Sequence, residues 1–143
     1  NSVLKFLNKE KKIGLFRIKS WKLFAKNVNE HSTNLYDFLK KIKLENKKIS
    51  AYGASGKGQS LMQISKIGKF IDYVFDKSNL KIKKYTPGTH IKILNPKKLN
   101  KTNTDYLLLL SWNLYREIAK QEKFFIKKGG RFILPFPKPH IYY

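Results

Sequence analysis

Short apolar runs that alternate with helical stretches constrain the fold of this chain more than any other feature. The runs lie at residues 48–52, 71–75, 91–94, 105–110 and 131–134. They do not alternate apolar with polar residues, as expected for strands that are covered on both faces. Helices are predicted between the runs, over 59–66 and 114–127. Strands that alternate with helices indicate βαβ units, so we predict an α/β, Rossmann-like fold with a mostly parallel sheet and flanking helices.

The first 46 residues have a different pattern and are predicted to form two leading helices. The first runs from Val3 to Ile13 and ends near Gly14. The second begins at Ser20, whose hydroxyl is expected to cap it, and apolar residues follow at helical spacings as far as Ile42. We therefore expect one domain, residues 1–143, with residues 1–46 as its leading helices.

Composition excludes several classes of protein. Apolar residues make up 41% of the chain and aromatic residues 14%, which is too much for a disordered polyelectrolyte. No apolar run approaches the roughly 18–20 residues of a membrane-spanning helix, so no membrane partner is expected. Cysteine is absent, which excludes disulfides and thiolate zinc sites in this chain and is compatible with a cytoplasmic location.

The net charge of +22 suggests an anionic partner. The kinds of basic residue that carry this charge, and their distribution along the chain, favour a solvated surface instead. Only Arg17, Arg116 and Arg131 are arginines, and the remaining basic residues are lysines scattered along the whole chain. Sites built to bind phosphate favour the rigid guanidinium group. We interpret the charge mainly as a solvated surface, with attraction to an anionic partner as the open alternative. Nucleic acid is not the partner we expect.

A glycine-rich loop follows the run at 48–52, with the sequence Gly53-Ala54-Ser55-Gly56-Lys57-Gly58. Its spacing matches neither the P-loop nor the nucleophile elbow nor the dinucleotide-binding fingerprint. The start of the next helix nevertheless offers unpaired N–H groups and a partial positive charge. Asp76 ends the next strand, at a position typical of ribose-binding acids. The loop is either an anion-binding loop or a tight turn that packs a helix on the sheet.

Two further loops are expected at the same edge of the sheet. One contains Lys81 and the turn Tyr85-Thr86-Pro87-Gly88, which is suited to clamp a diphosphate or to serve as a solvated basic turn. The other is Ser111-Trp112-Asn113, placed to stack on a ligand and hydrogen-bond it. Alternatively, Asn113 caps the next helix and Trp112 packs. Pro135-Phe136-Pro137 is predicted to end the last strand.

Catalytic groups are sparse in this chain. Its nine acidic residues are dispersed and its three histidines share no common spacing, so we expect no catalytic residue and no metal site here.

Taken in order, these motifs resemble the carboxyl-terminal domain of the S-adenosylmethionine-dependent sugar C-methyltransferases, and the resemblance spans essentially the whole chain. It rests on residues 52–58, Asp76, Lys81, residues 85–89, Trp112-Asn113 with Glu117-Ile118, residues 129–132 and residues 135–137. Enzymes of this family place a methyl group on a carbon of a nucleotide-linked deoxysugar. The implied reaction deprotonates the carbon beside a keto group and transfers methyl to the resulting enolate.

The resemblance also implies what this chain contributes. An amino-terminal zinc-binding segment and a central domain that binds S-adenosylmethionine and holds the acid–base residues are expected upstream, outside this chain. This chain is then the substrate-binding or supporting domain, inactive alone, whose partners are a nucleotide-diphosphate sugar and those upstream domains. The implied substrate-binding residues are Gly53, Ser55, Lys57, Gly58, Lys81, Tyr85, Thr86, Pro87, Gly88, Trp112 and Asn113.

Two other functions remain open at this point. One is a basic module that binds nucleic acid, using the charge and the aromatic residues. The other is a scaffold or dimerisation domain that uses the helix containing Trp21.

Overall fold

A computed structural model describes residues 2–142, and the chain divides into two compact units, Asn1–His31 and Ser32–Tyr143. Helix α1, Ser2–Lys12, has no buried residue, and helix α2, Ile18–Leu44, begins in the first unit and ends in the second. The prediction that Ser20 caps α2 is wrong. Ser20 lies inside the helix, and its hydroxyl donates to the carbonyl oxygen of Gly14 at 2.7 Å.

A six-stranded sheet forms the centre of the second unit, in the order β3-β2-β1-β4-β5-β6. Its strands are β1 (Ile49–Tyr52), β2 (Ile71–Phe75), β3 (Ile93–Leu94), β4 (Tyr106–Leu109), β5 (Arg131–Leu134) and β6 (His140–Tyr142). The first five pair in parallel, and β6 is antiparallel to β5. The predicted α/β class, with a mostly parallel sheet and two amino-terminal helices, is confirmed.

Both faces of the sheet are covered, which explains the unbroken apolar runs. On one face, the carboxyl-terminal part of α2 and helix α3, Gly56–Ile64, bury residues such as Leu39 and Met62 against Leu108 of β4. Leu107 and Leu109 point to the opposite face, where they pack with residues of helices α4, Tyr115–Gln121, and α5, Lys123–Lys127. The core therefore has two layers, one on each side of the strands.

Several boundaries differ from the predicted ones. The helix predicted over 59–66 is α3, Gly56–Ile64, because Ser55 caps it at an earlier position. The helix predicted over 114–127 is interrupted at Glu122, whose backbone leaves the helical region with φ −97° and ψ 26°. A short 3-10 turn, Trp112–Leu114, also precedes α4. Strand β5 ends at Leu134, directly before Pro135-Phe136-Pro137 as predicted, but it is not the last strand, because the chain then returns as β6. Within residues 2–142, no helix is long and apolar enough to cross a bilayer.

Candidate functional site

The candidate site lies where the loops after β1 and β4 meet. These strands are neighbours in the sheet, but the chain proceeds from β1 toward β2 on one side and returns to β4 on the other, so this is a topological switch point. Ligands of open α/β sheets bind in the crevice at such points, outside the carboxyl ends of the strands. The fold therefore places the glycine loop and the Trp112-Asn113 loop side by side.

Gly53 is the point of contact between the two loops. Its φ is +99°, a conformation that L side chains rarely adopt, and a Cβ built on it would overlap the hydroxyl of Ser111. Its N–H donates to the carbonyl oxygen of Phe75 at 2.7 Å, which holds the loop against the end of β2. A glycine is thus required here by both backbone conformation and space.

The first turn of α3 is held close to the sheet by two residues of the same loop. Ser55 caps the helix, its hydroxyl accepting from the N–H of Gly58 at 3.3 Å. A Cβ on Gly58 would lie 2.8 Å from the Cβ of Leu110. Gly56 and Lys57 are exposed at this helix start, where backbone N–H groups have no intrahelical partner.

Asp76 links the loop after β2 to the glycine loop. Its carboxylate accepts from the N–H of Ala54 at 2.7 Å and from the N–H of Ser78 at 2.8 Å. The ammonium of Lys81 pairs with the same carboxylate at 3.3 Å, and the Asp76 side chain is only 12% exposed. Both carboxylate oxygens are therefore engaged within the protein, and Lys81 joins the glycine loop through Asp76.

Exposed Lys57, Asn113 and Phe136 surround the half-buried Trp112 in a group here called the Lys57–Trp112 cluster. Trp112 also packs against both core layers, as the alternative prediction had it. The Lys57 ammonium donates to Oδ1 of Asn113 at 2.6 Å and lies 4.3 Å from the centre of the Trp112 ring. The rings of Trp112 and Phe136 are 4.6 Å apart. Asn113 does not cap α4, whose cap residue Leu114 makes no side-chain cap bond. An aromatic surface, a cation and an amide thus converge at the switch point.

The loop at residues 85–88 is tied to α3 further along that helix. The amide of Gln63 donates to the carbonyl oxygen of Pro87 at 3.3 Å, and a Cβ on Gly88 would lie 3.0 Å from the same amide. Thr86 is 1% exposed, and its hydroxyl is bonded to Thr89 at 2.6 Å and to the N–H of Ile91 at 2.9 Å. Tyr85 is 60% exposed.

The structure thus distributes the predicted site residues over three groups. One group surrounds the switch point and contains Gly53, Ser55, Lys57, Gly58, Trp112 and Asn113. Lys81 is attached to it through Asp76. The last group, Tyr85, Thr86, Pro87 and Gly88, lies in the loop held by Gln63.

Sequence reasoning missed Phe136 as a member of the cluster. The Pro-Phe-Pro motif after β5 was the available signal, because an aromatic residue there follows the carboxyl end of a strand.

A buried hydroxyl–carboxyl pair near the site also gave no signal in the sequence. The Tyr52 hydroxyl, at the end of β1, donates to Oε1 of Glu122 at 3.2 Å. Burial raises the pKa of Glu122, and burial together with the Glu122 charge raises the pKa of Tyr52. Tyr52 packs in the core layer that contains residues of α4 and α5, so this pair lies on the far side of the sheet from α3.

The family resemblance places the zinc ion and S-adenosylmethionine outside this chain, and that placement stays a prediction. Within residues 2–142 no group of three or more histidine, aspartate or glutamate side chains is arranged to hold a metal ion. Asp76, at the position of a ribose-binding acid, is instead engaged by two backbone N–H groups and Lys81.

Comparison with known proteins identifies the family. The model of the C-methyltransferase C-terminal domain matches residues 1–137. The chain belongs to this family. It is also 31% identical over 141 residues to the C-methyltransferase NovU of Streptomyces niveus, in an alignment that covers 98% of this chain and 34% of NovU. The domain spans about a third of the length of that relative. The resemblance first drawn from the motifs is confirmed.

Proposed function

We propose that this domain binds the nucleotide part of a nucleotide-linked deoxy-keto-sugar on behalf of an S-adenosylmethionine-dependent C-methyltransferase. Family membership and the likeness to NovU, named a C-methyltransferase, support a methyltransferase as the parent protein. The observation on which the binding role rests is the Lys57–Trp112 cluster, because it combines groups that a nucleoside diphosphate requires.

Each group of the cluster matches a part of such a ligand. The Trp112 ring is half-buried and lies beneath the Lys57 ammonium, and in this proposal a base stacks on the ring once Lys57 turns to the diphosphate. The Lys57 ammonium and the unpaired N–H groups at the start of α3 suit a diphosphate, since anions bind at helix amino-termini. Asn113 provides an amide that is exposed and already within 2.6 Å of Lys57. A ligand bound here would exchange the Lys57–Asn113 hydrogen bond for bonds to phosphate.

In this proposal the methyl transfer itself takes place outside the domain. The Lys57–Trp112 cluster contains no carboxylate or imidazole that could remove a proton from a sugar carbon. We therefore propose that S-adenosylmethionine, the zinc ion and the acid–base residues belong to other parts of the parent polypeptide, and that the isolated domain transfers no methyl group. We also propose a cytoplasmic location for the parent, with which the absence of cysteine from this chain is compatible.

The proposal is tested by measuring the binding of thymidine diphosphate and uridine diphosphate to the purified chain. Calorimetry gives the affinity, and a thermal-shift assay gives the change in melting temperature. Lys57→Gln is expected to weaken binding about 10- to 150-fold, because a charge-assisted hydrogen bond to phosphate contributes about 1.5–3 kcal/mol. Lys40→Gln is the matched control, since Lys40 is also exposed and the same charge is lost. Failure of both diphosphates to raise the melting temperature, with no density near Lys57 in soaked crystals, would contradict the proposal.

A further inference from the structure

A groove of about 530 Å³ runs along α4 and α5 and shares no residue with the Lys57–Trp112 cluster. Its rim is formed by exposed cationic side chains, Arg116, Lys120, Lys123 and Lys127. Its floor is apolar and half-buried, with Ala119 and Ile126 from the helices and Tyr142 from β6. The groove, here called the α4–α5 groove, therefore has a row of positive charges around an apolar centre.

The positive charge of this rim is not neutralised within the protein. Among residues 2–142, none of the four rim residues takes part in an ion pair. The two acids of the same helical segment are engaged elsewhere, Glu117 with the amide of Gln121 at 2.8 Å and Glu122 with the Tyr52 hydroxyl at 3.2 Å. The lining of the groove itself contains four cations and no acid, so an occupant would meet a predominantly positive rim.

We propose that the α4–α5 groove binds an acidic segment of another polypeptide, with an apolar side chain of that segment seated between its carboxylates. The partner segment is expected to be acidic because of charge complementarity. The cations of the rim extend from the first turn of α4 to the last turn of α5, and a row of carboxylates would pair with them. The apolar floor of the groove suits an apolar side chain of the partner, because side chains that fill pockets contribute most to binding at interfaces.

Two other anionic partners fit this groove less well. A membrane surface requires apolar side chains that protrude beyond the cations, whereas Ala119 and Ile126 lie below them on the floor. Single-stranded nucleic acid requires aromatic platforms for stacking, and Tyr142 is the only aromatic residue of the groove besides the fully buried Phe132. Arg116, one of the rim cations, has an aromatic neighbour within this protein, since its guanidinium lies 5.6 Å from the centre of the Tyr115 ring.

The proposal is tested by fluorescence anisotropy on the full chain with a labelled synthetic peptide of alternating Glu and Asp residues around a central Leu-Phe pair. A second peptide of equal charge carries Ser-Ser instead. The first peptide is expected to bind about tenfold more tightly than the second. Equal affinities would mean that net charge alone attracts the peptides, and would overturn the proposal.

Matched protein variants separate the groove from the general positive charge. Replacement of Lys120, Lys123 and Lys127 together by Gln is expected to weaken binding of the Leu-Phe peptide about tenfold. The same replacement of Lys40, Lys41 and Lys98, which are exposed and lie outside the groove, removes equal charge and is expected to change affinity less than about twofold. Equal losses in both triple variants would overturn the proposal.

A third variant tests the floor of the groove. Ala119→Glu places a negative charge among the rim cations and is expected to abolish binding, with circular dichroism confirming that the variant is folded. Unchanged affinity in a folded Ala119→Glu protein, or tighter binding of an oligonucleotide or of anionic vesicles than of the Leu-Phe peptide, would also contradict the assignment.

Discussion

Four glycines of this chain allow the cost of backbone strain to be separated from the cost of a steric overlap. An Ala at Gly53 would meet both, because φ is +99° and the Ser111 hydroxyl occupies the Cβ position. Gly129 has φ +88° with open space around it, and Gly58 has a close neighbour, the Cβ of Leu110 at 2.8 Å, without the unusual φ. Gly56 has neither, with nothing within 4 Å.

The expected free energies of unfolding follow from these differences. Gly53→Ala should cost about 2–6 kcal/mol, the sum of about 1–3 for an unfavourable backbone conformation and about 1–3 for overpacking. Gly129→Ala should cost only the first of these contributions and Gly58→Ala mainly the second. Gly56→Ala should stabilise the protein by about 0.5–1 kcal/mol, because Ala restricts the unfolded chain and favours a helix.

Urea denaturation of the four variants measures these values, and thermal melting should show a fall of about 10–20 °C for Gly53→Ala. The double variant Gly53→Ala/Ser111→Gly removes the overlap but keeps the strain, so it should recover the overpacking contribution. If Gly53→Ala and Gly129→Ala cost the same, and Ser111→Gly recovers nothing, the contact between the β1 and β4 loops is not as described. A destabilising Gly56→Ala would refute the assignment of open space there.

Three further predictions concern other parts of the molecule. Asp76→Ala leaves the N–H of Ala54 without its partner and should lower the free energy of unfolding by about 1–3 kcal/mol in urea; an unchanged midpoint would exclude this bond. Burial raises the pKa of Glu122, so the folded state binds the proton of this carboxyl more tightly than the unfolded state does. The contribution of Glu122 to the free energy of unfolding therefore falls as the pH rises from its unfolded pKa toward its folded pKa. Glu122→Gln should therefore be increasingly stabilising relative to the parent above about pH 4.5, measured by melting temperature against pH; a difference independent of pH would refute the shift. Deletion of residues 1–12, which contain α1 with no buried residue, should lower the melting temperature of the remaining chain by no more than about 4 °C in calorimetry, and a larger fall would show that α1 makes a stabilising contact.

The strands were predictable because their signal is local. The run at residues 71–75 has the bounds of β2, and the runs at 48–52 and 131–134 contain β1 and β5. Buried parallel strands need apolar residues on both faces, and that requirement is written into adjacent positions of the sequence.

Several of the differences from prediction involve contacts between distant residues. The break between α4 and α5 lies at Glu122, whose partner Tyr52 is 70 residues away. Strand β6 has only three residues and depends on pairing with β5. The sequence placed Asp76 at a position typical of ribose-binding acids, and only the structure shows that its carboxylate accepts from the N–H of Ala54. No periodicity within a short window contains such information.

In the candidate site, too, the sequence predicted the local features and the structure decided the contacts between distant residues. The sequence identified the loops after β1 and β4 and the residue types that suit a phosphate and a flat ring, because both follow from local pattern. That Lys57 lies 2.6 Å from Asn113 and 4.3 Å from the Trp112 ring, and that Phe136 joins them, depends on strand order.

The sequence by itself determined the α/β class, the positions of the buried strands and the family. The tertiary structure alone decided which groups meet at the switch point, why Gly53 has to be a glycine, and how the rim of the α4–α5 groove is assembled. The physical reason is that apolar periodicity reports burial, residue by residue. Side-chain chemistry between distant positions exists only once the strands have paired and the helices have packed.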